Sequence, residues 1–462
     1  MNEVPEAFLY GLSAAVGPEW IRTDAASREA YGTDALQQGR AADFVVIPAD
    51  TAQVAAVARL CNLHRVPLVV RGAGTGYTGG AVPTHGGVVL SMERFNRILE
   101  IDEANLLAVV QPNVITGELQ REVERQRLFY PPDPASLDRS AIGGNVAECA
   151  GGPRAFKYGT TKRYVLGLEA VLATGEIIQT GSKAVKNVVG YDVTQLLVGS
   201  EGTLAIITRI VLRLIPKPPE QATLLGLFAS IDAAVAAVSA LLRRRAVPAA
   251  IELIDADSLA AVHEYLGQKV VPREAEAALI IEVDGSAAAV SDEIERVADA
   301  CQEAGAVGVV RADTSSEREQ IWSLRRQLSL ALRATGLLKI NHDVVVPRGR
   351  VPDLFAAVAA LKRDHRLRIA CFGHAGDGNI HVNIMVKRDD AAELERAHTA
   401  ERLLFERVVA LEGSISGEHG IGFAKAKYLG IELSDAEIAL MKRIKRAFDP
   451  NGILNPGKIF PG

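Results

Sequence analysis

The sequence predicts an α+β protein of more than one domain, and three observations carry that expectation. The chain has 462 residues, and at roughly 100 to 200 residues per domain that length suggests about two to four domains, each able to bury a full core. The first 215 residues are rich in glycine and short β-branched runs, whereas the remainder alternates Ala/Leu-rich helical patterns with strands. Between the two halves, residues 215–220 read IPKPPE, and three prolines in six residues favour extended backbone over helix.

Composition narrows the function. With 48% hydrophobic and 23% charged residues the chain is not a disordered tail protein. Its 51 Lys plus Arg against 56 Asp plus Glu, a net charge of -5, leave no electrostatic footprint for nucleic acid, so small-molecule chemistry is the default. Cys61, Cys149, Cys301 and Cys371 lie far apart, which excludes a zinc ribbon and an iron-sulfur ligand run and predicts four reduced thiols. The N-terminal MNEVPEAFLYGLSAAVG has acids where a signal peptide has a basic start, and no stretch reaches the ~18 to 20 apolar residues of a membrane span. The expected location is cytoplasmic, with peripheral attachment at the inner membrane face left open.

The elements follow in order. Residues 204–214, LAIITRIVLRL, read as the last strand before the proline seam. After it come a strand at TLLGLF, a helix at IDAAVAAVSALLRRR, a strand at 249–254, the strand ALIIEVDG, a helix to about Gly305 and the strand VGVVRA, which suggest β-α-β units of an α+β domain. A further helix carries Arg325, Arg326 and Arg333, and Lys339, His342 and Asp343 lie on the strand after it. The tail MKRIKRAFDPNGILNPGKIF reads as a helix followed by an ordered, Pro/Gly-punctuated loop.

Three glycine-rich segments stand out. Residues 67–80, PLVVRGAGTGYTGG, run from an apolar strand into a loop whose amide N–H groups suit a pyrophosphate. Gly74, Gly76 and Gly79 satisfy GxGxxG, but a nicotinamide site needs a helix to start inside the motif, and here a second strand, VVLS, follows instead. The second segment, residues 131–160, is a long, punctuated, non-regular stretch in which Ser136, Ser140 and Asn145 offer polar contacts to a large cofactor. The third, LLVGSEGTLAIITRI, places Gly199, Glu201 and Gly202 just before the alternating strand.

The sharpest chemical signal is CFGHAGDGNIHVNI, residues 371–384. Its glycines disfavour helix, so His374 is expected to end one strand and His381 to open the next, with Asn383 on the same face as His381. GSISGEHGIG, residues 413–422, adds adjacent Glu418 and His419 in a glycine-flanked loop. Two His and one carboxylate suit Zn, Mn or Fe while leaving positions open for substrate or water; the plain alternative is hydrogen-bonded turn histidines. Asp377 reads as a turn former.

Together these segments resemble the FAD-linked D-2-hydroxy acid dehydrogenases, a branch of the vanillyl-alcohol oxidase type that includes glycolate oxidase flavoprotein subunits, D-lactate dehydrogenases and D-2-hydroxyglutarate dehydrogenases. The resemblance runs from about residue 40 to the C-terminus. It implies a two-part FAD-binding domain over 1–217, an α+β substrate (cap) domain with the metal site over 218–445, and a C-terminal strap over 446–462 returning to the FAD domain. It further implies that Arg71, Gly72, Ala73, Gly74, Thr75, Gly76, Gly79 and Gly80 hold the FAD pyrophosphate. Pro132, Asp133, Ser136, Gly143, Gly144, Asn145, Gly151, Gly152, Glu201, Gly202 and Ile206 would line the same cofactor, with Asn455 and Lys458 reaching it from the strap. Relatives that bind FAD covalently often carry a His in the first glycine loop; none stands between His64 and His85 here, so the FAD is expected to be non-covalent.

By the same resemblance His374, His381 and Glu418 hold a divalent metal, with Zn ahead of Mn or Fe, and His419 is the catalytic base. Arg325 and Lys339 match positions contacting the substrate carboxylate, Ser329 stands where D-2-hydroxyglutarate enzymes have Thr, and Asn383 joins the substrate site. The expected reaction is oxidation of a D-2-hydroxy acid, D-lactate or glycolate first. The alternatives are D-2-hydroxyglutarate oxidation and, further off, an alkyl-glycerone-phosphate synthase-like transferase. Electrons are expected to leave to a quinone, an electron-transfer flavoprotein or an iron-sulfur subunit, and both a homodimer and a hetero-complex are compatible with the chain.

Overall fold

In the computed structural model, residues 6–267, 272 and 274–460 are described. The first five residues of the N-terminal stretch and the last two of the tail lie outside them. The chain divides into two compact units, one of Met1–Gly151, Thr160–Lys217 and Glu418–Gly462, the other of Gly152–Gly159 and Pro218–Gly417. Among the described residues no helix is long and apolar enough to cross a membrane.

The first unit contains two main sheets. In the four-stranded one, Phe44–Val46, Val88–Ser91 and Leu68–Arg71 run parallel, and Ile21–Arg22 closes the edge antiparallel. The first glycine loop therefore joins two parallel neighbours, Leu68–Arg71 and Val88–Ser91, without an intervening helix. The other sheet is a five-stranded antiparallel one in the order Ile98–Asp102, Leu107–Val110, Ile206–Arg213, Val165–Val171, Ile177–Gly181. One apolar core joins them: Val54, Ala58 and Cys61 of the helix Thr51–His64 pack with Leu68, Leu90, Val171 and Ile206. The tail is threaded into it. Ile453 and Leu454 are buried in this core, and Leu68 donates its N–H to Ile453 O at 2.8 Å and accepts from Asn455 N at 2.9 Å. The second glycine-rich segment is less irregular than expected, because Ile142–Glu148, with Gly143 and Gly144 inside it, and Ala155–Tyr158 form short helices.

The second unit holds a seven-stranded sheet, all antiparallel, in the order Ala306–Ala312, Glu220–Phe228, Ala277–Gly285, Ala250–Asp255, Arg368–His374, Asn379–Val386, Leu338–Val345. The β-α-β units expected from the sequence are present in split form: Ala277–Gly285 inserts between Glu220–Phe228 and Ala250–Asp255, so the strands linked through Ile231–Arg243, and those linked through Ala287–Glu303, are not neighbours. The central strands are apolar at nearly every position because both faces are covered. On one face, Leu259 and Val262 of Ala256–Leu266 and Leu324, Leu328 and Leu332 of Ser315–Ala334 pack on Ile254, Ile280 and Phe372.

Asp255 ties a helix to the strand that ends in His374. It caps Ala256–Leu266 by accepting from Ser258 N at 2.9 Å, and its other oxygen accepts from Cys371 N at 2.8 Å. Asp255→Ala removes a cap worth about 1 kcal/mol and strands a buried amide at a further cost of about 1–3 kcal/mol. Urea unfolding of Asp255→Ala should show a loss of roughly 2–4 kcal/mol, with Asp255→Asn milder because its amide oxygen still accepts. A change within error of zero would remove Asp255 as the joint.

Candidate functional site

The geometry of the second unit's site follows from sheet register. Side chains two apart on a strand share a face, and antiparallel partners stand opposite one another on it. Glu252 pairs with His374, Phe372 with His381, Asn383 with Asn341, and His381 with Asp343. Period two then places Lys339, Asn341 and Asp343 with His381 and Asn383 and with Phe372 and His374, so one sheet face gathers most of the ionisable side chains. The hairpin forms as the glycines predict, the strand ending at His374 and the next opening at Asn379; Asp377 accepts from Asn379 N at 3.2 Å as the turn former. His342, one position out of phase, falls on the opposite face, with its Nε2 3.3 Å from Glu401 and its ring edge-on to Phe405.

Glu252 is fully buried, and its two oxygens meet His374 Nδ1 at 2.5 Å and Arg325 Nε. Burial alone would raise its pKa, but His374 and Arg325 beside it hold it at about 2, so it stays a carboxylate. With Nδ1 turned to Glu252, His374 is left Nε2 as its ligand atom, the orientation that a carboxylate imposes on metal-binding histidines. The His374 and His381 rings lie edge to face at 5.3 Å. Glu418 follows Gly417, whose N–H is held by the Asp343 carboxylate at 2.9 Å and the Asp343 carbonyl at 3.1 Å. Donor atoms of His374 and His381 lie within 4.8 Å of one another. Two imidazoles at that spacing suit a shared divalent ion.

Beside this cluster is a cationic one. Arg325, 6% exposed, stacks its guanidinium 4.8 Å from the Phe372 ring centre, and Lys339 Nζ lies 5.9 Å from the same ring. Lys339 donates to Ser329 Oγ at 2.8 Å. Its pKa is lowered to about 7 by burial and then by Arg333 and Arg325. Arg325 uses Nε on Glu252 and has two terminal nitrogens in a fork suited to a carboxylate. Arg326, exposed, pairs with Glu319. Asn383 takes a different part from the one expected. It is 0% exposed, its amide donates to the carbonyls of Ala370 and His381 at 3.0 and 3.1 Å, and its oxygen accepts from Asn341. Asn383 thus braces the strands.

In the first unit the glycine-rich segments converge. A Cβ on Gly72 would stand 3.3 Å from Ala141 Cβ and 4.0 Å from Gly144 N, which sets the first loop against the second. Asn455 Nδ2 donates to Gly80 O at 2.8 Å and Glu201 O at 2.7 Å, joining the first loop, the third segment and the tail. Glu201 and Gly202, both left-handed at φ 53° and 66°, turn the backbone so that the buried Glu201 side chain accepts from Ile421 N and Gly422 N, each at 2.7 Å. Around the first loop, buried acceptors have no hydrogen-bond partner among the described residues: Asp34 Oδ2, Asn113 Oδ1 and Asn455 Oδ1. Space is open beside Gly144, and a Cβ on Gly76 would meet only Asp34 Oδ2, at 3.9 Å. Orphaned acceptors facing such space fit a ligand rich in hydroxyl and ring N–H donors, as FAD is.

Several expected cofactor residues act as framework. Ile206 is 0% exposed within the apolar core, so its side chain packs there and does not line a cofactor. Arg71 Nη1 donates to the Thr33 and Tyr31 carbonyls, at 2.5 and 3.4 Å. Asn145 Nδ2 donates to Thr116 Oγ1 at 2.7 Å. Lys458 donates to Val82 O at 2.6 Å, its pKa lowered to about 8 by burial against the pull of Glu201, Asp34 and Glu148. Sequence reasoning missed Glu252 and Asp34 and left Asp343 without a role. Glu252 had a signal, an acid with apolar residues on both sides in the strand AIELID; Asp34, whose pKa is raised to about 6 by burial, sits in a polar stretch that hides it.

Residues 217–459 match the family described as FAD linked oxidases, C-terminal domain, and residues 42–181 match the FAD binding domain. The chain is 43% identical over 445 residues to glycolate oxidase subunit GlcD of Bacillus subtilis, covering 96% of this chain and 94% of that one. It is 37% identical to D-lactate dehydrogenase of Anaerostipes hadrus (91% and 90% covered) and 34% identical to D-2-hydroxyglutarate dehydrogenase of Stutzerimonas stutzeri (98% and 99% covered). Among solved structures, p-cresol methylhydroxylase with substrate bound superposes with a TM-score of 0.80 at 19% identity (99% and 98% covered). Alkyldihydroxyacetonephosphate synthase gives 0.77 at 21% (98% and 86% covered). Those identities speak for the fold alone, the two-domain FAD-binding fold of the vanillyl-alcohol oxidase type. The chain belongs to the FAD-linked oxidases, as an oxidoreductase of the group that includes glycolate oxidase subunits, D-lactate dehydrogenases and D-2-hydroxyglutarate dehydrogenases.

Proposed function

We propose that this chain is a metal-assisted dehydrogenase of D-2-hydroxy acids, D-lactate or glycolate first, yielding the 2-oxo acid, with dissociable FAD and Zn ahead of Mn or Fe. The observation that carries the reading is the pair of His374 and His381, with His374 oriented by a buried carboxylate that also holds Arg325; Glu418 is assigned as the third ligand. When bound, a divalent ion held there would act as a Lewis acid toward the substrate hydroxyl, as metals lower the pKa of bound water from about 15.7 to about 7. FAD, when bound, supplies the acceptor for the hydride from the α-carbon.

The remaining work belongs to the protein. His419 follows Glu418 directly and receives the hydroxyl proton; its Nε2 stands 3.8 Å from Glu418 Oε1. The terminal nitrogens of Arg325 and the ammonium of Lys339 take the substrate carboxylate, with Ser329 holding Lys339 in place. Glu252 keeps His374 in one tautomer, so the donor set needs no reorientation. Arg325, Lys339 and Arg333 together also favour a second reading, a dicarboxylate such as D-2-hydroxyglutarate. The cysteines are separate free thiols, three of them buried, which supports an electron acceptor outside the chain: a quinone, an electron-transfer flavoprotein or an iron-sulfur subunit. The relative named as a glycolate oxidase subunit supports a partner of that kind.

Anaerobic addition of D-lactate should bleach the oxidised-flavin band of the purified protein while L-lactate leaves it; a band indifferent to D-lactate and glycolate but bleached by D-2-hydroxyglutarate would install the second reading. After dialysis against a chelator, Glu418→Ala should retain FAD but no metal, and Glu252→Gln should lose about 10- to 100-fold in metal affinity. His419→Ala should keep both groups yet fail to reduce its flavin; normal turnover there ends the assignment of the base. Lys339, with its pKa lowered to about 7, is the cation below that pH and neutral above it. For the free enzyme, kcat/KM should therefore fall as pH rises through about 7, and Lys339→Arg should move that limb upward. An unmoved limb would assign it to another group.

A further inference from the structure

The glycine loop whose backbone suits a pyrophosphate is also the seat of the loop that carries His419. Thr78 Oγ1 donates to His419 O at 3.1 Å, and Thr78 O accepts from Phe423 N at 3.1 Å and Ala424 N at 3.2 Å. Gly79 has no side chain for a reason: a Cβ there would collide with the Phe423 ring. From the other side Glu201 receives the amides of Ile421 and Gly422. The backbone on both sides of His419 is thereby fastened, but backbone hydrogen bonds leave the side-chain torsions of an imidazole to be set by what the ring touches. Against it lies Tyr77, with ring centroids 5.3 Å apart and planes inclined by 26°, a stacked pair.

We propose that Tyr77 is a positioning residue for His419, holding the imidazole by its face so that the proton-accepting nitrogen keeps one direction. The proposal rests on the reading of His419 as the base. It assigns to one short run, Tyr77-Thr78-Gly79, a second duty beside cofactor binding: Thr78 and Gly79 fix the path of the base loop and Tyr77 fixes its ring. The contact needs the flat face and not the phenol oxygen, so phenylalanine should serve and leucine, of comparable bulk but without a face, should not.

The test is anaerobic single-turnover reduction of the FAD-loaded protein by whichever of D-lactate, glycolate and D-2-hydroxyglutarate bleaches it fastest. Tyr77→Leu and Tyr77→Phe are compared in the native and His419→Ala backgrounds, with the FAD dissociation constant measured by fluorescence for each. In the native background Tyr77→Leu should slow the limiting reduction rate on the order of 10- to 100-fold, the scale of a misplaced catalytic group. Half-saturation by substrate and affinity for FAD should stay unchanged, and Tyr77→Phe should restore the rate. In the His419→Ala background Tyr77→Leu should cost nothing further, since its effect passes through His419. Equal slowing in both backgrounds, a loss of FAD affinity in step with the rate, or a Tyr77→Phe as slow as Tyr77→Leu would each overturn the proposal while leaving the base in place. A His419→Ala protein that reduces its flavin at the native rate would instead bring down the base assignment itself, whatever Tyr77 does.

Discussion

A carboxylate with no access to water holds the second unit's chemistry together. Glu252 sits mid-strand between apolar neighbours, and an unpaired charge there would cost several kcal/mol. It is tolerated because His374 and Arg325 each meet one oxygen, and the pairing keeps it ionised. The same pairing fixes two groups with different tasks. The imidazole is committed to one tautomer, and the guanidinium is anchored by Nε so that its fork is presented as a rigid unit. Removing either partner would leave a buried charge, so the His374 and Arg325 halves of the cluster are energetically one object. Phe372 completes the coupling from the side, its ring touching His381 as well as Arg325 and Lys339.

The first unit solves a comparable problem in backbone. Its loops are long and glycine-rich, and loops of that kind need their amides and carbonyls tied down. Asn455, on a tail that pairs with the Leu68–Arg71 strand, reaches both Gly80 and Glu201; Glu201 in turn holds the amides beyond His419. Glu201 is raised in pKa mainly by burial, with Ile421 and Gly422 opposing that shift. Orphaned acceptors on Asp34, Asn113 and Asn455 are among the places where this internal accounting stops short.

How much of this was legible depends on whether the signal is periodic or relational. The hairpin was legible because Gly373, Gly376 and Gly378 rule out a helix and leave two strands with a turn, and period two then puts His381 and Asn383 on one face. The glycine loop was legible because strand, loop and strand without a helix is unlike a nicotinamide fingerprint. What register decides was not. Glu252 meets His374 only because Ala250–Asp255 pairs with Arg368–His374, strands over a hundred residues apart. Asn383 entered the site by resemblance; only the register shows its amide hydrogen-bonded to Ala370, His381 and Asn341. Ile206 failed in the same way, its position right and its side chain turned into the core.

The cationic cluster bears on what the carboxylate contact can do for the reaction. Arg325 is compensated by Glu252, whereas Lys339 is held near half-protonation at neutral pH by burial and by the two arginines. An arriving carboxylate would draw a proton onto Lys339, so anion binding and proton uptake are linked there. Yet the 2-oxo acid product carries the same carboxylate as the substrate, and so does every state between them. An interaction equally strong in ground and transition states lowers KM without raising kcat. On the proposed reading Arg325 and Lys339 would therefore choose acids over neutral alcohols and orient them, but could not by themselves accelerate the removal of hydride. On the proposed reading that acceleration has to come from groups that meet the hydroxyl, where charge changes during the reaction, and the imidazole of His419 is the group proposed to take its proton.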